Sequence, residues 1–313
     1  MTNGLTTNGL TTKLPISVII LTYNEEKNIE ECLKSVYGWV EEIFIVDSYS
    51  TDKTLEIARK YTDKIYQHPF ENQAKQFNWA LENLPIKTEW IMRLDADERW
   101  TDDAFKELSG IISSPDVNGI YIKFRIFFMH KWLKYGGLYP NYFLRVFRKG
   151  KGRIENRFMD EHIIVDGKTV YLDNDVLEYN LKDRNGLIEE FIKKHIGYSI
   201  REAIDLLSLK YKSNNDSEDI SNFWGNKTER KRWIKEHIYA RLPLFFRPFF
   251  YFIYRYFFKL GFLDGREGLI FHFLQGFWYR FLVDAKIYEI EKRAKRENKD
   301  VKEVIEELYN IKL

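Results

Sequence analysis

The sequence has one cysteine, Cys32, so no intrachain disulfide can form. That suits a reducing compartment, and Cys32 itself falls on the apolar face of a predicted helix, where it reads as a small core residue. Charge surplus is missing too. Lys and Arg number 49 against 47 Asp and Glu, a net of +2, which singles out no polyanionic partner and speaks against nucleic acid. No stretch approaches about 18 uncharged apolar residues, so a membrane-spanning helix is not expected. The start has neither a basic n-region nor an apolar h-region, so it does not read as a secretory signal. Instead the polar repeat Thr2-Asn3-Gly4-Leu5-Thr6, Thr7-Asn8-Gly9-Leu10-Thr11 reads as a disordered tail. Nor does a glycine-rich phosphate loop of either common kind follow the first apolar run, which excludes a P-loop NTPase and argues against a dinucleotide oxidoreductase.

What remains is ample for one large domain, or a domain with an appended element: 313 residues, of which 17% are aromatic. Through the first hundred residues, two periodicities alternate. Ile16 to Leu21 is a nearly continuous apolar run of the kind found in buried parallel strands. A helix follows with Ile29, Leu33 and Val36 on one stripe. Strands are expected over Ile43 to Val46, Lys64 to Gln67 and Trp90 to Leu94. Between them lie a helix started by Ser50-Thr51-Asp52 and running to about Tyr61, and a helix over Gln73 to Asn83. Short links and strand–helix alternation predict a mostly parallel sheet covered on both faces.

Ligands of such sheets bind at the carboxyl ends of the strands. Thr22-Tyr23-Asn24-Glu25, Asp47 and Asp95-Ala96-Asp97 all lie at those ends, so three segments converge on one rim. Carboxylates at i and i+2 of an extended end can share a divalent cation, a ribose or a diphosphate. Without a phosphate loop, a phosphate-bearing ligand needs a metal. The hard oxygens of Asp95 and Asp97 suit Mg²⁺ or Mn²⁺. Asp47 is placed to accept a hydrogen bond from a base or ribose.

Three ordered segments resemble family 2 glycosyltransferases, most of all bacterial lipopolysaccharide-core and exopolysaccharide glucosyltransferases. They are Ile16 to Val36 with Thr-Tyr-Asn-Glu-Glu, Val46-Asp47-Ser48-Tyr49-Ser50-Thr51-Asp52, and Leu94-Asp95-Ala96-Asp97-Glu98. The likeness is specific over 16–100, looser to 165 and slight beyond. It implies a GT-A fold, Rossmann-like with helices on both sheet faces, and inverting transfer of a hexose, glucose or a related sugar, from a nucleotide-diphosphate donor, UDP-linked by preference. Leu21, Thr22, Tyr23, Asn24, Glu25 and Asp47 would then surround the base. Asp95 and Ala96 would lie near the ribose, and Asp97 would hold the metal. Lys75 stands where relatives place a basic residue near the donor, although Gln-Phe-Asn follows it where Arg-Asn or Lys-Asn is common. The base that deprotonates the acceptor is sought in Arg157-Phe158-Met159-Asp160-Glu161-His162. Glu161 is favoured over Asp160 because it precedes His162 and an apolar strand, and His162 would complete the metal site or orient the base. Arg153 and Arg157 would contact the diphosphate or form a solvated face.

The implied organisation is a tail over 1–13 and a catalytic domain over 14–210, with a nucleotide-binding half over 14–100 and an acceptor half over 101–210. A linker over 211–226 and a helical region over 227–313 follow. Leu242 to Leu260 contains no acidic residue and is crowded with aromatics. With Arg255, Lys259 and Tyr251 on one helical face, it reads as a basic amphipathic helix lying in a membrane interface. A second helix over Leu269 to Tyr288 extends that surface across 242–288, and Lys292 to Leu313 reads as a mixed-charge helical end. The expected setting is cytoplasmic, peripheral to the inner face of the cell membrane, with a lipid-linked or glycolipid acceptor. The same aromatic surface also suits self-association into a homo-oligomer. Two other classes compete: a sugar-phosphate nucleotidyltransferase, which normally carries a glycine-rich loop after its first strand, and a non-catalytic membrane-associated protein on a transferase-like fold.

Overall fold

The computed structural model describes residues 13–155, 162–179, 187–211, 230, 233–235 and 237–311. Two compact units are distinguished: Met1–Lys134 with Leu138–Leu187, and Tyr135–Gly137 with Ile188–Leu313.

The first unit is built on β1 (Leu14–Thr22), α1 (Ile29–Tyr37), β2 (Val40–Asp47), α2 (Thr54–Ala58), β3 (Ile65–Gln67), α3 (Gln73–Asn83) and β4 (Trp90–Asp95). There follow β5 (Glu98–Arg99), α4 (Asp102–Ile111), β6 (Val117–Phe128), β7 (Lys131–Leu133), β8 (Tyr142–Arg148), β9 (Gly152–Ile154), β10 (Ile163–Val165) and β11 (Lys168–Tyr179). The central sheet runs β3-β2-β1-β4-β8-β6-β11-β5, with β7 on β6, and β9 and β10 form a separate ribbon. Strands β3, β2, β1 and β4 are mutually parallel, as the alternation predicts. Strand β8 then enters antiparallel to both β4 and β6.

Both faces of the parallel half are covered, because successive side chains of a strand point to opposite sides. Ile16, Val18 and Ile20 of β1 join Ile43 and Ile45 of β2 in one core with Ile29, Leu33 and Val36 of α1 and Phe105 and Leu108 of α4. Ile19, Phe44 and Val46 turn the other way onto Ala74, Phe77 and Ala80 of α3. The amphipathic spacing read for α1 and α3 is the spacing that packs. Helix α2 ends earlier than expected. It also starts later, at Thr54 with Lys53 at its N-cap, and the Thr54 amide donates back to Asp52 at 2.9 Å.

In the second unit α5 (Leu187–Tyr211) precedes α6 (Phe246–Ile253), which a π-helical turn, Tyr254–Phe258, prolongs. Helix α7 (Gly265–Phe271) passes through another π segment, His272–Trp278, into α8 (Tyr279–Glu297), and α9 (Val301–Tyr309) closes the chain. The two long helical stretches run antiparallel: Arg247 pairs with Asp284 near one end and Arg255 with Gln275 near the other. Here the sequence expectation is corrected. Arg255 is only 5% exposed and donates from Nε to the carbonyl of Gly136 at 2.9 Å, so it is an internal group and not a surface cation. Arg247 is likewise buried on Asp284, and Arg280 binds Glu202 at 2.6 Å. The imidazole of His272 lies against Gly136 and Gly261, where a Cβ would collide with the ring.

Replacing Phe77 by Ala removes a fully buried ring that packs near Phe147. The variant should lose about 3–5 kcal/mol in urea unfolding, with an unchanged denaturant slope.

Candidate functional site

Strand register brings the three predicted segments together. Thr22 pairs with Asp47 across β1 and β2, and Leu21 pairs with Asp95 across β1 and β4. The carboxyl ends of three adjacent parallel strands therefore form one rim. Ala96 is buried just beyond it.

Asp47 is fully buried. Its carboxylate accepts from Thr22 Oγ1 at 2.9 Å, Ser50 N at 2.8 Å, Ser50 Oγ at 2.5 Å and Gln67 Nε2 at 3.4 Å. About four acceptor positions are thereby filled, which makes Asp47 the organiser of the loops above it. Those loops clasp each other. The amide of Asn24 donates to Ser50 Oγ and its Oδ1 accepts from Thr51 N, both at 2.8 Å. Glu25 N donates to Thr54 Oγ1 at 2.7 Å, and Glu26 N donates to Asp52 Oδ2 at 3.1 Å. What the clasp presents to solvent is aromatic: Tyr23, 58% exposed, and Tyr49. Tyr49 holds φ of 61°, a left-handed conformation that costs a non-glycine residue about 1–2 kcal/mol.

The acidic end of β4 is more crowded than its spacing reveals. Arg145 of β8 donates from Nη2 to Asp95 Oδ2 at 2.9 Å and to Glu98 Oε1 at 2.5 Å. Arg93, almost wholly buried, reaches Asp95 Oδ1 from Nε at 3.4 Å and Gln73 Oε1 from Nη2 at 3.0 Å. Glu98 turns back to accept the Asp95 amide at 3.0 Å. Burial pushes the Asp95 carboxyl up, but Arg145 and Arg93 more than reverse this and hold it at about 2. Burial drives Glu98 well above its ordinary value, against the pull of Arg145 and with the Asp95 charge adding to the rise. The pair thus behaves as two acids that share one guanidinium, with the negative charge resting on Asp95.

Asp97 differs. It is half-exposed, and its backbone carbonyl accepts from the Tyr179 amide at 2.8 Å. Among the described residues no hydrogen bond or ion pair ends on its carboxylate. The oxygens of Asp97 are therefore the ones left for a ligand from outside. Their chemistry fits Mg²⁺ or Mn²⁺ bound by one carboxylate together with substrate phosphates. Among the described residues no three His, Cys, Asp or Glu side chains gather into a ready-made metal cage.

The other predicted residues are placed less centrally. Lys75, on the first turn of α3, pairs with Glu71 on the surface. His162 stands at the β9–β10 ribbon, where its amide donates to Glu155 Oε2 at 3.2 Å and its ring lies 3.8 Å from the same carboxylate. That ribbon is joined to α3 through Asn78, which bonds both the carbonyl and the amide of Ile154. Asp160, Glu161 and Arg157 lie outside the described residues, while Arg153 is exposed on β9.

Beyond Arg145 the rim continues into a cluster that sequence reasoning missed. Asp175 of β11, largely buried, receives Arg125 Nε at 2.6 Å and the Tyr139 hydroxyl at 3.0 Å, with Lys123 at 3.7 Å. The Arg125 guanidinium lies 4.7 Å from the centre of the Trp132 ring. Arg93, Arg145, Lys123 and Arg125 share one available signal: each is a cation with an apolar neighbour on both sides inside a strand.

The model of glycosyl transferase family 2 matches residues 17–180 of this chain. The chain is 29% identical over 296 residues to the lipopolysaccharide core biosynthesis glycosyltransferase LpsC of Rhizobium meliloti (strain 1021), covering 92% of this chain and 97% of that relative. It is 27% identical over 285 residues to an uncharacterized glycosyltransferase of Rickettsia bellii (strain RML369-C), covering 88% and 86%. A crystal structure of S. aureus TarS 1-349 in complex with UDP-GlcNAc aligns over 92% of this chain and 93% of that one, with 17% identity and a TM-score of 0.44.

Asp95 titrates near 2 in the folded chain against an ordinary value of 3.8. Its stabilisation is therefore complete above about pH 4 and lost as pH falls toward 2. Asp95→Asn should flatten this part of the stability–pH curve in chemical denaturation, and an unchanged slope would show that Arg145 and Arg93 do not favour its ionised form. Arg145→Ala, which strands the buried Glu98 and the half-buried Asp95, should cost about 3–5 kcal/mol by the same measurement.

Proposed function

The chain belongs to glycosyl transferase family 2, with the α/β GT-A architecture, and on that premise we propose that it is an inverting hexosyltransferase. In this reading the donor is a UDP-linked hexose, glucose or a close relative, and the acceptor is a lipid-linked or lipopolysaccharide-type glycan. The observation that carries the reading is the division between two acids separated by one residue: Asp95 is paired with guanidinium groups, while among the described residues none bonds the Asp97 carboxylate. The full-length likeness to a lipopolysaccharide core glycosyltransferase supports the choice of acceptor.

The donor would lie along the rim. Tyr23 and Tyr49 offer exposed ring faces to the base, on loops that Asp47, Asn24 and Glu25 hold rigid. Asp95, 30% exposed at its side chain and held ionised by Arg93 and Arg145, accepts from the ribose hydroxyls. When bound, Mg²⁺ or Mn²⁺ would supply charge neutralisation at the leaving diphosphate, and the Asp97 carboxylate and the His162 imidazole are the groups that would hold it. The acceptor half would lie over β6, β8 and β11, where Lys123, Arg125, Tyr139 and Trp132 combine cations with aromatic faces suited to phosphorylated sugars.

Transfer is a single displacement. The acceptor hydroxyl oxygen forms its bond to the anomeric carbon as the bond to the diphosphate breaks, and a carboxylate on the opposite face takes the hydroxyl proton. That base is assigned to Glu161, with Asp160 as its neighbour. The assignment comes from the sequence, since both lie outside the described residues.

Incubation with a panel of nucleotide sugars and Mn²⁺ should release nucleoside diphosphate, whereas release of pyrophosphate would turn the assignment to a nucleotidyltransferase. Asp97→Ala should abolish metal-dependent donor binding in calorimetry. Glu161→Gln should retain that binding and lower transfer by about 10²–10⁴-fold. Normal transfer by Glu161→Gln alongside a dead Asp160→Asn would move the base to Asp160.

A further inference from the structure

The second unit has an apolar core that includes Ile204, Leu207, Val283, Ile287 and Ile290, but it also buries Arg247, Asp284, Arg255, Glu202 and His272 and exposes Phe246, Phe249, Phe250, Phe257 and Phe258. So many exposed rings are unusual on a helical surface that faces water. They continue into a turn. The turn joining α6 to α7 reads Phe257-Phe258-Lys259-Leu260-Gly261-Phe262-Leu263, and all of these except Gly261 are exposed, Phe258 to 75%. Turns between helices are normally polar, because their backbone groups and side chains face water.

Much of this turn's backbone is bonded within the chain. Lys259 N donates to Tyr254 O at 2.9 Å, Leu260 N to Phe257 O at 3.2 Å and Leu263 N to Leu260 O at 2.9 Å. The Lys259 carbonyl accepts from Gly136 N at 2.8 Å, and Asp264 is buried and accepts from Tyr135 N at 2.9 Å. Internally satisfied backbone is the requirement that hydrocarbon imposes on a chain. No described helix is long and apolar enough to cross a membrane.

Charge at the tip favours one occupant. Lys259 and Arg266 are exposed, while between 242 and 271 the acids are Asp264, which is buried, and Glu267, which is half-buried. A second copy docking face to face would set these cations against each other. Anionic lipid headgroups complement them, with the Lys259 stem lying along apolar surface and its ammonium reaching the headgroups.

We propose that the α6–α7 turn is a membrane-inserting tip, which seats Phe257, Phe258, Phe262 and Leu263 below the headgroups of an anionic bilayer while Lys259 and Arg266 bind them. The seating is apolar first and electrostatic second, the opposite order from adsorption of a basic helix face.

Flotation of the full chain with vesicles of phosphatidylcholine and phosphatidylglycerol tests it, at low and at high salt. The wild type should float and largely persist at high salt. Phe258→Glu combined with Phe262→Glu should weaken partitioning at least about tenfold. Lys259→Glu with Arg266→Glu should remove the preference for phosphatidylglycerol over phosphatidylcholine alone. Circular dichroism and thermal melting check that the variants fold. Where the double Phe variant does not fold, a polarity-sensitive dye on Phe258→Cys replaces it, the native Cys32 being buried, and should shift to the blue on vesicle addition. Absence of flotation, flotation indifferent to the Phe changes, or a dye that does not shift would overturn the proposal. So would a vesicle-free dimer that the same Phe changes dissociate, since a second copy would then be the occupant.

Discussion

One guanidinium holds the acidic end of β4 together. Asp95, Asp97 and Glu98 crowd three acids into four residues at the end of a buried strand, and without compensation two of them could not remain close. Arg145 arrives on β8, the antiparallel neighbour of β4, and bonds two of the three. Everything useful about the site depends on that contact. It fixes Asp95 in the ionised form, uses Glu98 to anchor the turn through the Asp95 amide, and leaves the Asp97 carboxylate as the one not engaged among the described residues.

A division of labour follows along the whole rim. Asp47 and Asp95 are similar in sequence setting, each ending a parallel strand, yet their surroundings separate them. Asp47 is filled by hydroxyl and amide donors and stabilises loops, whereas Asp95 is held by cations and stays partly open. The exposed surface between them belongs to Tyr23 and Tyr49, so recognition there would rest on ring faces more than on charge.

The parallel half of the sheet was legible in the sequence because its signals are local. An apolar run, a 3.6-residue stripe and a strand-end acid can each be read within ten residues, and β1, α1, β2, α3 and β4 appear where that reading puts them. Arg145 was not legible, because its partners lie about fifty residues away and only strand pairing brings them near. The C-terminal helices failed differently. Periodicity puts Arg255 and Lys259 one turn apart, but it does not say which side of the helix is wet. Arg255 sits inside on a backbone carbonyl while Lys259 remains outside. Reading a cation as a marker of the solvent face is sound where the interior holds only apolar groups, and this unit also buries Arg247, Arg255 and Asp284 within its core.

The tripeptide Tyr135–Gly137 carries a consequence for synthesis. Its partners Arg255 and Asp264 follow it by 119 and 129 residues, so it leaves the ribosome long before anything exists to receive it. Domains elsewhere in proteins can close as they emerge, but this unit has to wait for its last third. Through that interval the segment needs no apolar burial of its own: two of its three residues are glycines, and a polar or glycine-rich stretch is a safer thing to leave unpaired than a strand edge. The same glycines then admit the His272 ring at a distance no other residue would allow. The composition that keeps the segment harmless while it waits also lets it fit when its partners arrive.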